Sequence, residues 1–108
     1  MQVKTTLKES LVKKLYMISF DLGNKSQNYD KIVAEIKKYP GWCKLWDNQW
    51  FICSAGPSDD ICKKFQKVLN PSDFFFVCNV TADRMGMLKP NVVDWMQDME
   101  RKQNEQRS

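Results

Sequence analysis

Lys14-Leu15-Tyr16-Met17-Ile18-Ser19-Phe20-Asp21-Leu22 is the stretch on which the fold turns. It is rich in aromatic, β-branched and long apolar residues, and it stops at the turn-forming cluster Gly23-Asn24-Lys25-Ser26. That combination reads as a first strand. Beyond the turn the apolar spacing changes. In residues 28–39, Tyr29, Ile32, Val33 and Ile36 fall on one helical face. Asn28 is placed to cap this helix, Asp30 suits its positive end, and Lys37 and Lys38 suit its negative end. Pro40-Gly41 stops it.

Two short strands follow, residues 42–46 and 49–54, with Asp47-Asn48 as the hairpin turn. A two-residue turn puts Trp50 and Ile52 on one face and Phe51 and Cys53 on the other; a longer turn changes the cross-strand partners. Gly56-Pro57-Ser58-Asp59-Asp60 opens a second helix with Ser58 as its cap, and Ile61, Phe65, Val68 and Leu69 form its apolar stripe. Asn70-Pro71-Ser72-Asp73 turns the chain into a fourth strand over 74–81. A last short helix is expected over about 91–99, burying Val92, Trp95, Met96 and Met99. The order strand, helix, strand, strand, helix, strand with right-handed crossovers predicts an α+β domain. The expected architecture is ferredoxin-like: a four-stranded antiparallel sheet in spatial order four, one, three, two. Both crossover helices lie on one face, and a short C-terminal helix is added. The domain is expected over 14–99, preceded by a basic segment, 1–13, and followed by a charged flexible tail, 100–108.

The 108 residues suffice for one domain, and at 43% hydrophobic they can build a core. No apolar run reaches the roughly 18 residues of a membrane helix, and Met1 to Lys14 has no apolar stretch of a signal peptide. A cytoplasmic protein without membrane partners is expected. Cys43, Cys53, Cys62 and Cys78 form no C-x-x-C pair and there is no histidine. This argues for free thiols and against a zinc site. It also leaves any catalysis to carboxylates, a metal, Lys, Tyr or Cys. The net charge of +4 arises at the two ends, the first 14 residues alone holding four lysines against Glu9. Such ends bind nucleic acid or simply stay solvated.

A sheet with helices on one side only should have one polar face. Here Phe74 and Phe76 alternate with Phe75 and Val77, and Tyr16, Ile18 and Phe20 alternate with Leu15 and Met17, so both faces are apolar. Something must cover the second one. A homodimer is expected, with Phe75, Val77 and Trp95 at its interface. The alternative is a monomer in which the terminal helix does the whole task.

Asp21, Asp73 and the Asp47-Asn48 turn should lie along one rim of the sheet, Asp21 sharing the open face with Ser19 and Met17. Magnesium takes oxygen ligands, commonly one or two carboxylates plus water, and a two-fold axis near Asp21 would supply two. An ion held there could activate water for phosphodiester hydrolysis. The plainer account is that Asp at strand ends bonds nearby backbone amides.

These residues resemble a known family. Leu15-Tyr16-Met17-Ile18-Ser19-Phe20-Asp21-Leu22 looks like the first strand of the SinR-like relatives of CRISPR-associated protein two. Asn28-Tyr29, Trp42 followed by Leu45-Trp46-Asp47 and Trp50, and Phe76-Val77-Cys78-Asn79-Val80-Thr81 resemble the same branch, so the likeness spans about residues 14–83. VapD-type toxin ribonucleases have a similar first strand. The resemblance implies a ferredoxin-like homodimer in which Asp21 is the catalytic residue and ligand of magnesium or manganese in an endonuclease acting on RNA or DNA. The chain departs from the CRISPR subunits in having no Arg in Asn28-Tyr29-Asp30-Lys31 and no Gln-x-Ser-Val-Phe-Glu stretch.

Three readings therefore stand at the sequence level. One is a metal-dependent nuclease built on Asp21, with Ser19 and Asn79 as helpers. Another is a binding dimer of a defence or toxin–antitoxin system that grips nucleic acid through Lys13, Lys14, Lys44 and the basic ends. The third is a structural or regulatory dimer without nucleic acid.

Overall fold

In the computed structural model, residues 13–23 and 25–107 are described, with the backbone alone at 25–27 and 104–107. Of the basic segment expected over 1–13, only Lys13 falls among them. The elements follow in the order β1 (Lys14–Asp21), α1 (Lys25–Ile36), β2 (Gly41–Trp46), β3 (Gln49–Ser54), α2 (Ser58–Gln66), β4 (Phe74–Asn79) and α3 (Pro90–Arg107). The four strands form one antiparallel-paired sheet in the order β2-β3-β1-β4. This is the ferredoxin-like arrangement with a C-terminal helix added.

Side-chain alternation along the strands sorts the apolar residues into two cores. On the first face, Tyr16, Ile18, Phe20, Trp50 and Ile52 meet Ile32 and Ile36 of α1 and Ile61 and Phe65 of α2. Several of these are wholly buried, and each such side chain contributes roughly 1.5–3 kcal/mol over leaving it in water. On the second face, Leu15, Leu45, Phe51 and Cys53 close around Val92 of α3, with Trp95, Met96 and Met99 packed beside them. All four cysteines are free; Cys53 is buried, and the other three are half-buried.

Local details differ from the sequence reading. α1 starts at Lys25, so Asn28 lies inside it rather than at its cap; its buried side chain donates to Asp73. In α2 the capping position is Pro57, with no side-chain cap bond, and Ser58 is the first helical residue. β4 ends at Asn79. α3 runs on to Arg107, through the segment expected as a flexible tail. Its last turns are rich in Glu, Gln, Lys and Arg, which are strong helix formers, and Asp98 pairs with Arg101 and Lys102 one turn on.

The β2–β3 hairpin holds a bulge. Lys44 pairs with Trp50 and Trp46 with Gln49, so Leu45 is the extra residue. Among the described residues no helix is long and apolar enough to cross a membrane.

Candidate functional site

β1 and β2 run in one direction and β4 in the other, so the end of β1, the β2–β3 turn and the start of β4 meet at one end of the sheet, here its upper end. Asp21 sits opposite Phe74, directly after Asp73, and the Phe20 amide donates to the Asn48 carbonyl at 3.1 Å. The three acids expected on one rim do share it, but they are in different chemical states.

Asp73 is a structural tie. Its carboxylate accepts from the amides of Gly23 at 2.9 Å and Asn70 at 2.7 Å, and from the Asn28 side chain. The Asn70 amide leads in holding its carboxyl below the usual range, helped by Gly23 and Asn28. Gly23 is required by this close approach, because a Cβ there would stand 2.7 Å from the Ser72 Cβ and 3.0 Å from its carbonyl oxygen. Asp47 is engaged by Lys44 at 3.0 Å. That hydrogen bond, followed by the neighbouring Tyr29, raises the Lys44 ammonium above its ordinary value. Asp21 is exposed, and no described side chain bonds it.

A cleft of about 760 Å³ opens at this rim, lined by Asp21, Tyr29, Asp30, Lys44, Asp47 and Asn48, with Phe20 and Leu22 behind them. Among the described residues no three His, Cys, Asp or Glu side chains stand close enough to hold a metal ion. Asp30 and Asp47 line the same cleft as Asp21, with Asp47 engaged by Lys44, and magnesium commonly takes one or two carboxylates plus water.

The helpers separate. Ser19 lies on the same face as Asp21, and the Gln49 amide reaches its hydroxyl at 3.4 Å. Asn79 does not join them: it pairs with Tyr16 near the lower end, and its side-chain oxygen is held by Thr81. The lysines separate too. Lys14 pairs with Ser54 at the lower end, roughly 23 Å along β1 from Asp21 at a strand's rise per residue, and Lys13 precedes it. Lys44 stands at the upper end with its ammonium 6.0 Å from the Trp50 ring. The three form no single patch.

Two of the three expected interface residues, Phe75 and Val77, point the other way. Phe75 pairs with Phe20 and Val77 with Ile18, so both belong to the helix-covered face, and Phe75 stacks on Phe65 of α2 at 4.6 Å between ring centres. Trp95 stacks on Phe51 of its own chain at 6.4 Å. The uncovered aromatics of β4 are Phe74 and Phe76. The antiparallel β1–β4 register carries the signal for this, because it sets Phe76 beside Ser19 and Phe74 beside Asp21. Comparison with family models, with curated proteins and with solved structures found no match to this chain.

Proposed function

We propose that this chain acts as a homodimeric, nucleic-acid-associated endonuclease that hydrolyses RNA or DNA phosphodiesters, with magnesium or manganese held between two copies of Asp21. The observation that carries the reading is the state of Asp21: an exposed carboxylate with no described partner, at the end of the central strand β1 and on the uncovered part of the sheet. The resemblance of residues 14–83 to the SinR-like branch supports the same position. Asp21 would hold the divalent ion, which when bound would supply an activated water for phosphodiester hydrolysis. Ser19 and Gln49, on the same face, are placed to donate hydrogen bonds to a phosphate oxygen. Lys44, in the cleft at the same end, offers a cation for the nucleic-acid backbone.

A second reading has its own support. The absence of a three-ligand cluster among the described residues favours a non-catalytic dimer, and the scattering of Lys13, Lys14 and Lys44 favours a structural or regulatory one over one that grips nucleic acid through them. Labelled RNA and DNA incubated with wild type and Asp21→Ala, in magnesium, manganese or EDTA, decide between them. Metal-dependent cleavage that falls at least ~100-fold in the variant is the expected result, since removing even an outer partner of a metal ligand costs about 10–100-fold. Identical behaviour of the two proteins removes Asp21 from the chemistry and leaves the non-catalytic dimer.

A further inference from the structure

Sulfur collects on the second face of the sheet, at the end away from Asp21. The registers put Cys53 of β3 opposite Leu15 of β1 and Gly41 of β2. Leu15 lies six residues before Asp21, so this row is roughly 20 Å from that carboxylate at a strand's rise per residue. Met96 and Met99 stand one turn apart on α3 and pack against the same core. Gly41 leaves space beside two of these sulfurs. Cys53 Sγ and Met99 Sδ each lie 3.1 Å from the point where a Cβ on Gly41 would stand, and so within twice that distance of each other. A pocket of about 190 Å³ opens here, lined by Cys53, Met96 and Met99 together with Leu15, Thr81 and the Arg84–Glu100 ion pair. Cys43 and Cys62 do not line it, and neither does Cys78.

We propose that Cys53, Met96 and Met99 form a binding site for a soft monovalent cation, copper(I). Three properties of the site point to this ion. The first is ligand type: one thiol and two thioethers are soft donors, which select copper(I) over the hard cations that take oxygen. Zinc prefers three or four Cys and His ligands, and this chain has no histidine and one cysteine in the pocket. The second is charge. A thiolate and a monovalent ion cancel, as Arg84 and Glu100 do, so the loaded site is neutral and suits a buried place. A divalent ion on the same sulfurs leaves one positive charge uncompensated in a low dielectric, which is costly.

The third property is reach. Bonds of about 2.3 Å, the length zinc makes to sulfur, set two ligand sulfurs roughly 4–4.6 Å apart. Methionine's three rotatable bonds supply the closing movement from the separation at Gly41. Binding replaces the Cys53 S–H bond with a sulfur–copper bond, and the proton leaves to solvent. Copper keeps its single positive charge throughout, so no electron moves. Burial, opposed by Lys13, pushes the Cys53 thiol up to about 11, so this proton is in place at neutral pH and one is released for each ion bound.

The test is a titration of untagged, full-length protein with copper(I), kept reduced by ascorbate under nitrogen, against the chromogenic chelator bicinchoninate. The parent carries Cys43→Ser, Cys62→Ser and Cys78→Ser, so that Cys53 is its one thiol. The expected result is one equivalent of copper(I) withdrawn from the chelator by the parent, with a rise in its melting temperature. Adding Cys53→Ser should weaken binding at least ~100-fold, since losing an outer partner of a ligand alone costs about 10–100-fold. Adding Met96→Leu/Met99→Leu, which conserves volume and so keeps the core filled, should weaken it at least ~10-fold. Met85→Leu/Met87→Leu, at two exposed thioethers outside the pocket, should leave it unchanged. Circular dichroism checks the fold of each protein, and if the Cys53→Ser form does not fold, the Met96/Met99 variant decides. A parent that withdraws no copper(I) overturns the inference. So does equal affinity in the Met96→Leu/Met99→Leu protein, which reduces the site to a lone thiol, or a loss confined to Met85→Leu/Met87→Leu. Asp21→Ala should bind copper(I) as the wild type does, so this result and that of the cleavage assay stand apart.

Discussion

Asp73 and Asp21 are the same residue type at the same rim, and their surroundings give them opposite work. Asp73 is filled by Gly23, Asn28 and Asn70, so it fastens the β1–α1 turn to the start of β4. Asp73→Asn presents an amide to donors that need an acceptor, and lower stability at neutral pH is expected. The pH dependence has a definite sign. The folded carboxyl lies below its unfolded value near 3.8, so its contribution is complete above about pH 4 and is lost as the pH falls through the lowered value. The gap in melting temperature between wild type and Asp73→Asn should narrow from pH 7 to pH 3, and an unchanged gap would show that the carboxylate bonds do not hold the turn. Tyr39 is a second informative residue. Its hydroxyl is buried without a partner among the described residues, while its ring stacks on Phe65 at 6.1 Å. Burial first, and Glu35 second, push it up to about 12. Stability should therefore decline from pH 10, where the unfolded tyrosine ionises, up to about pH 12. Tyr39→Phe is expected to be neutral or stabilising by about 1 kcal/mol at pH 7 and to remove that part of the alkaline loss, as read by denaturant titration.

At the scale of elements, the bulge at Leu45 and the helix α3 decide what the second face presents. Unbroken alternation in β2 would put Trp46 with Trp42 and Lys44 on the helix-covered side. The extra residue sends Leu45 into the second core and turns Trp46 beside Gln49. α3 then covers the lower rows by inserting Val92, which is wholly buried there. Val92→Ala removes two methyl-sized groups from that contact and should cost about 2 kcal/mol in urea unfolding. A change below a few tenths of a kcal/mol would mean that α3 does not hold this face.

At the scale of the molecule, one sheet carries two differently finished faces. The first is sealed by α1 and α2. The second is sealed below by α3 and open above, where Asp21 stands. Nucleic-acid binding, if it runs through Lys44 and the basic ends, should weaken steeply with salt, about one counterion per phosphate contact. A slope near zero in a filter-binding titration against salt would separate the protein from nucleic acid altogether.

The strand and helix order, the place of the hairpin turn at Asp47-Asn48 and the gathering of Asp21, Asp47 and Asp73 on one rim were legible in the sequence, whereas the length of that turn was left to the Trp46–Gln49 pairing. Each follows from local periodicity, turn residues and the handedness of crossovers, which act over a few residues. The ends of α1 and α3 were less so, because capping competes with tertiary bonds such as Asn28 to Asp73 and because a charged helix has no apolar stripe to announce it. The facing of Phe75 and Val77 was misread for one reason: Phe74 to Val77 is apolar on both faces, and alternation alone does not say which face looks inward. Only the pairing of Phe75 with Phe20 and of Phe76 with Ser19 decides that. The role of each acid was also a tertiary matter. The chain determined that three carboxylates meet at one end of the sheet, and the packing of the 70–73 turn against Gly23 decided that Asp73 is spent on structure while Asp21 stays exposed.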